Sequence, residues 1–150
     1  MEMLMRFVDR TTRCAAIYRS EKLEAEGLNG YQHPYILNIC REPGISQESL
    51  ASRIYVNRSS VTRQLAILEQ NGFVERRVSE SDKRVLEVYP TQKAFDVYPR
   101  VREVLREWNA GLLEQFTPEE RKLLSSMMER VMVKAVEISG ADKIENARQA

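Results

Sequence analysis

The chain has 150 residues, 43% hydrophobic and 30% charged, with a net charge of +1. That balance suits one soluble globular domain and excludes a disordered chain. No apolar run approaches the roughly 18 residues a bilayer requires. The N-terminal MEMLMRFVDR puts charges where a secretory leader needs an apolar core, so a cytoplasmic protein with no membrane association is expected.

Leu, Glu, Arg and Ala dominate while Gly and Pro number 6 and 5, which favours a mainly helical fold. Leu4, Phe7, Val8, Thr11, Ala15 and Tyr18 recur at helical spacing in the first segment, and Cys14 lies on the same stripe. A turn follows around Gly27–Gly30, and a second helix starts near Pro34 and stops at Pro43-Gly44. Ser46 can cap a short helix over 47–54, and Asn57 a longer one over 58–70 that ends at Asn71-Gly72. Segments 73–78 and 84–89, rich in Val, Phe, Leu and Tyr, read as short strands. Thr91 can cap a long helix to about Phe116, with Val101, Val104, Leu105, Trp108 and Leu112 on one face. Pro99 either kinks that helix or marks its true start. Thr117-Pro118-Glu119-Glu120 has the form of a capping box ahead of a last helix to about Ile138. The expected order is α-α-α-α-β-β-α-α. The last helix is apolar nearly all round, and the first has a similar surplus. They are therefore expected to pack together and against a second copy, the alternative being a deeper monomer core.

The two short helices carry the first functional signal. Leu50, Ala51 and Ile54 face Val61, Leu65 and Leu68 across a tight turn, the pattern of a helix-turn-helix. Opposite the buried stripe of the second helix lie Ser59, Arg63 and Ala66, flanked by Thr62 and Ile67. This low-relief surface of hydroxyls and an arginine suits a DNA major groove, whereas a solvated face would carry more Glu and Lys. Ser59 and Ser60 also sit where free helix N–H groups can meet phosphate. Residues 53–84 hold seven cations against four anions, a local excess of three on a near-neutral chain, which suits an anionic polymer. The strands then form a wing, with Arg76 and Arg77 on its outgoing strand and Lys83 and Arg84 at its tip. The tip itself, Ser79-Glu80-Ser81-Asp82-Lys83-Arg84, lacks the Asn-Gly or Asp-Gly of a tight hairpin.

The run NRSSVTRQLAILEQNGFVERRVSESDKRVLEVYPT resembles the winged helix-turn-helix of the MarR family of bacterial transcription regulators. The family's wing signature is Asp-x-Arg, three residues, Val-x-Leu-Thr, and a Gly three further on. Asp82, Arg84, Val88 and Thr91 match it; Pro90 and Ala94 stand where Leu and Gly are usual. The match covers about residues 45–95, and the flanking helices fit the family's dimerisation region in length and order. The resemblance implies a winged-helix lobe over about 33–92, dimerisation helices at 1–30 and 93–140, and a polar tail at 141–150. It implies a homodimer that binds double-stranded DNA at a roughly palindromic operator, probed by Ser46, Asn57, Arg58, Ser59, Ser60, Thr62, Arg63, Arg76, Arg77, Lys83 and Arg84. Arg84 would then enter the minor groove and read its width. Asp82 is expected to brace the wing by pairing with an arginine; the alternative is a simple turn former.

Members of this family are commonly released from DNA by a small aromatic or phenolic effector, or by cysteine oxidation. Cys14, Tyr18, Tyr31 and Tyr35 are similar in layout to the peroxide-sensing branch, whose reactive cysteine is hydrogen-bonded by tyrosines of the other subunit. The plainer reading is a cysteine packed as a small hydrophobe. His33, the only histidine, lies near where the family's ligand crevice falls, or is an ordinary helix-start residue. One His cannot make a metal site alone, and Cys14 and Cys40 lack a CxxC partner, so no metal, cofactor or disulfide is expected. No GxSxG, phosphate loop or HExxH is present, which argues against an enzyme. The remaining competitor is a winged-helix module that binds protein rather than specific DNA.

Overall fold

The computed structural model describes residues 3–141; Met1, Glu2 and the expected polar tail from residue 142 onward lie outside the described residues. Six helices and a small sheet follow in order: α1 (Met3–Leu23), a 3-10 turn (Glu24–Glu26), α2 (His33–Arg41), β1 (Ile45–Ser46), α3 (Gln47–Arg53), α4 (Arg58–Gln70), β2 (Val74–Val78), β3 (Leu86–Pro90), α5 (Gln92–Leu113) and α6 (Pro118–Ser139). The fold is mainly helical with a β-wing, as the sequence implied.

Local chemistry sets most of these boundaries. The Ser46 and Asn57 side chains accept from the backbone N–H of Ser49 and Ser60, satisfying donors that α3 and α4 leave open. Thr117 and Glu120 form the reciprocal capping box ahead of α6. Thr91 differs from expectation. It stands at the N-cap of α5 without capping it, because its hydroxyl donates to the Gly72 and Phe73 carbonyls and ties α5 to the end of α4. Pro99 does not mark the start of α5, which begins at Gln92 and continues past it to Leu113, three residues short of the expected end.

The sheet has the order β1-β3-β2, antiparallel throughout. The wing strands begin one and two residues later than the hydrophobic runs suggested, pairing Val74 with Pro90 and Val78 with Leu86. β1 was not foreseen. Its two residues lie opposite Val88 and Glu87, and Gly44, at φ +89, turns the chain into it while its N–H meets the Val88 carbonyl. A second left-handed turn falls at Tyr55 (φ 56) between α3 and α4, where a side chain is strained and glycine is the easier residue.

The core gathers Leu23 from the end of α1, Leu28 from the loop that follows the 3-10 turn, Ile36 and Ile39 from α2, Leu50 from α3, Val61, Leu65 and Leu68 from α4, Phe73, Val88, and Val101 and Val104 from α5. The buried face of α1 is Ala15, Ala16, Arg19 and Leu23, displaced toward its C-terminal half. Leu4 and Phe7 of the expected stripe are exposed. At Gly30 the chain passes so close to α1 that a Cβ would stand 2.0 Å from the Ala16 carbonyl oxygen. Ser20 Oγ accepts from the Gly30 N–H, and Arg19 Nε donates to the Gly30 carbonyl at 2.8 Å.

The deeper monomer core is overturned, because α6 contributes no buried residue at all. Leu123, Leu124, Met127, Met128, Met132 and Val133 stay exposed on the single chain, as do Met3, Leu4, Met5 and Phe7 of α1.

Candidate nucleic-acid interface

Val61, Leu65 and Leu68 fix the rotation of α4 by sealing its inner stripe against α3. Ser59, Thr62, Arg63, Ala66 and Ile67 are thereby turned outward. The first turn is held from within: Asn57 Oδ1 accepts from the Ser60 N–H and the Ser59 hydroxyl, both at 2.8 Å. Thr62 donates to the Arg58 carbonyl and accepts from Gln47 Nε2 at 2.9 Å, which docks α3 on α4. Gln47 Oε1 is buried and has no hydrogen-bond partner among the described residues. Ser46, occupied in capping α3, lies one residue from this contact.

The wing tip is a closed loop. Ser79 and Val85 pair through the backbone, Val85 N–H meets the Asp82 carbonyl, and the Ser79 and Ser81 hydroxyls share a hydrogen bond. Asp82 plays both roles considered for it. Oδ1 accepts from the Arg84 backbone N–H at 3.0 Å, a turn-forming contact, and the carboxylate also takes Arg84 Nε at 3.1 Å and Nη2 at 3.2 Å. These bonds from Arg84 hold the Asp82 carboxyl below its ordinary range. The partner is thus its own neighbour on the wing, not an arginine of α4. The Arg84 side chain remains 90% exposed.

Almost every arginine of this surface holds a carboxylate. Arg58 pairs with Glu48, Arg76 with Glu69 at 2.6 Å, Arg77 with Glu75 at 2.8 Å, and Arg84 with Asp82. Arg77 also lies 4.4 Å over the Tyr89 ring, and its bond to Glu75 raises its pKa further. Arg63 and Lys83 have no ion-pair partner among the described residues. The acids Glu48 and Glu69 were missed by sequence reasoning, because only the crossing of α3, α4 and β2 brings them to their arginines. Gln47, Glu48, Arg58, Thr62, Arg84, Val85 and Leu86 line one open cleft of about 190 Å³ between the two short helices and the wing.

The suggested effector residues divide. Tyr31, His33 and Tyr35 share a cleft of about 310 Å³ with Arg19, Pro34, Ile54, Val56, Ser60 and Gln64. Cys14 is exposed elsewhere on α1, and Tyr18 packs on Trp108 and donates to Glu107. Within one chain, then, the cysteine and Tyr31 and Tyr35 are not brought together. Arg19, missed in the sequence, is the charged residue of this cleft. Burial first, and the Arg19 charge second, push His33 down to about 4, against a smaller pull upward from the Gly30 carbonyl. Burial likewise raises the Cys40 thiol to about 11, as befits a cysteine packed against the core. Among the described residues no cluster of His, Cys, Asp and Glu could hold a metal, and no helix is long and apolar enough to cross a membrane.

Comparison with known proteins converges on one family. The family model described as MarR family matches residues 29–86. The uncharacterized HTH-type transcriptional regulator YybA of Bacillus subtilis (strain 168) is 35% identical over 100 residues, 67% of either chain. The crystal structure of MarR superposes with a TM-score of 0.81 at 30% identity, over 91% of this chain and 93% of the other. A Listeria monocytogenes chain solved with a 26mer DNA superposes at 0.83 over 100% of this chain and 97% of its own; at 23% identity that likeness is one of fold.

Proposed function

The chain belongs to the MarR family of helix-turn-helix transcriptional regulators, and from that premise we propose that it is a repressor that binds a palindromic operator as a homodimer. The carrying observation is the cleft in which Arg58 and Thr62 of α4 and Arg84 of the wing meet. Two elements that reach one surface can engage one duplex together, α4 in the major groove and Arg84 in the adjacent minor groove. Residues 33–92 form the DNA-binding lobe in this reading, with contacts from Ser46, Asn57, Arg58, Ser59, Ser60, Thr62, Arg63, Arg76, Arg77, Lys83 and Arg84, and Asp82 as the brace of the wing tip. Residues 1–30 and 93–140 form the dimer, supported by the exposed apolar rows of α1 and α6.

Release follows from a small aromatic or phenolic ligand in the cleft of Tyr31, His33 and Tyr35. Its apolar walls would take a ring, and Arg19 would take an acidic group. A cysteine switch at Cys14 with Tyr18 draws less support, since Cys14 is exposed on α1 and neither residue lines the cleft of Tyr31 and Tyr35.

The test is duplex binding of the purified protein to its own upstream intergenic DNA, across a salt series, with and without phenolic carboxylates. The expected outcome is specific retention that weakens steeply as salt rises and is relieved by ligand. Salt-independent binding, or none, overturns the DNA reading in favour of a protein-binding module. Peroxide in place of the ligand separates the two release routes.

A further inference from the structure

We infer that Glu48 is a specificity-determining residue, one that occupies Arg58 in the free protein and withholds it from DNA of the wrong sequence. The inference rests on the DNA-binding reading above. Arg58 opens α4, directly after the Asn57 cap, and its guanidinium is held by the Glu48 carboxylate from the first turn of α3. Both side chains face solvent, at 66% and 45% exposure, on the wall of the cleft shared with the wing. The pair is therefore exchangeable, since an exposed ion pair holds its partners weakly and a phosphate can take the place of the carboxylate.

The exchange has unequal consequences on different DNA. A duplex met at random offers Arg58 a phosphate but leaves Glu48 a few ångströms from it, so most of the attraction is cancelled by repulsion. On a matching site α4 seats fully, and its outward Ser59, Thr62 and Arg63 add contacts that offset the displacement of Glu48. An acid beside a DNA-facing arginine thus lowers non-specific affinity more than specific affinity, and specificity is the difference between them. The same logic sets the salt dependence. An arginine that keeps its carboxylate releases no counterion, so Arg58 is silent in the salt slope until Glu48 leaves.

The experiment compares wild type, Glu48→Gln, Glu48→Asp, Arg58→Ala and the Glu48→Gln/Arg58→Ala double variant. Each is titrated against a random-sequence duplex and against the upstream intergenic DNA over a salt series, with thermal melting to confirm folding. Glu48→Gln is expected to bind the random duplex several-fold tighter, to steepen its salt slope by about one unit, and to narrow the ratio between specific and random DNA. Glu48→Asp, which keeps the charge, should restore the wild-type slope. In the Arg58→Ala background the Glu48→Gln effect should vanish. An unchanged slope in Glu48→Gln overturns the inference and leaves the DNA reading standing. So does a gain that persists without Arg58, because Glu48 then acts only as general negative charge. A wild-type protein that retains neither duplex overturns both.

Discussion

The two exposed faces of this chain solve opposite problems. On the α4 and wing surface, four arginines each carry their own carboxylate, and polar groups bind one another in closed local loops. On α1 and α6, large apolar side chains stand open with nothing from the chain to cover them; Met127 is 51% exposed and Leu123 61%. A surface that satisfies itself can let go of a partner at little cost, whereas an uncovered apolar face can be stable only when covered. In the proposed reading, the difference separates a surface for reversible DNA binding from one for lasting self-association.

The strongest challenge to that contrast is to charge the apolar face. Leu124→Asp combined with Met127→Asp should yield a 17.4 kDa monomer in light scattering, since each site forfeits about 1.5–3 kcal/mol of burial. Operator affinity should fall with it, by about a hundredfold or more as paired half-sites lose their linkage. A stable dimer from this variant breaks the comparison. On the other face, Arg63→Ala should weaken duplex binding by about 1–3 kcal/mol while leaving the melting temperature in place. Arg76→Ala sharpens the point: its guanidinium is mostly buried and ties β2 to α4 through Glu69, so it should lower stability more than it lowers affinity.

His33 sits at the seam between the two regions and gives a pH prediction. With its pKa at about 4 in the fold against 6.5 in the unfolded chain, the folded state binds fewer protons in that window. Stability is complete above pH 6.5 and is lost as pH falls toward 4, by about 2 kcal/mol once partial exposure is discounted. His33→Gln should flatten this limb in denaturant titrations at pH 7 and pH 4.5. The smallest effect belongs to Asp82→Asn, which leaves the turn contact but loosens Arg84. On the matching duplex, where Arg84 must be aimed, we expect a loss of about two- to fivefold in affinity, as for an exposed pair, and no change in melting.

What could be read from the sequence was whatever is encoded locally. The caps at Ser46, Asn57 and Thr117, the inward rows of α3 and α4 and the Asp82–Arg84 spacing all act within a few residues, and their chemistry is visible in a string. β1 was not visible, because two residues acquire strand character only by meeting Val88 more than forty positions away. Thr91 misled for the same reason: its hydroxyl had a distant carbonyl to satisfy rather than its own helix. The acids that pair with Arg58 and Arg76 belong to other elements, so the sequence showed the arginines of the candidate interface without the carboxylates that hold them. Arg19 was hidden among ordinary surface-like residues of α1 until Gly30 closed over it.

That closure at Gly30 has a mechanical consequence. Backbone meets backbone there, with Arg19 and Ser20 holding the carbonyl and the N–H of one glycine, so the joint between α1 and the entry to α2 is tightly fixed. The two are built as a lever whose long arm is the N-terminal half of α1, with Met3, Leu4, Met5 and Phe7 exposed along it. Met3 lies roughly 20 Å from Ala16 by helical rise, so a displacement of about 2 Å at the far end arrives at Gly30 as about six degrees of rotation. In the proposed dimer, the spacing of the two copies would therefore set the pitch at which each presents α4.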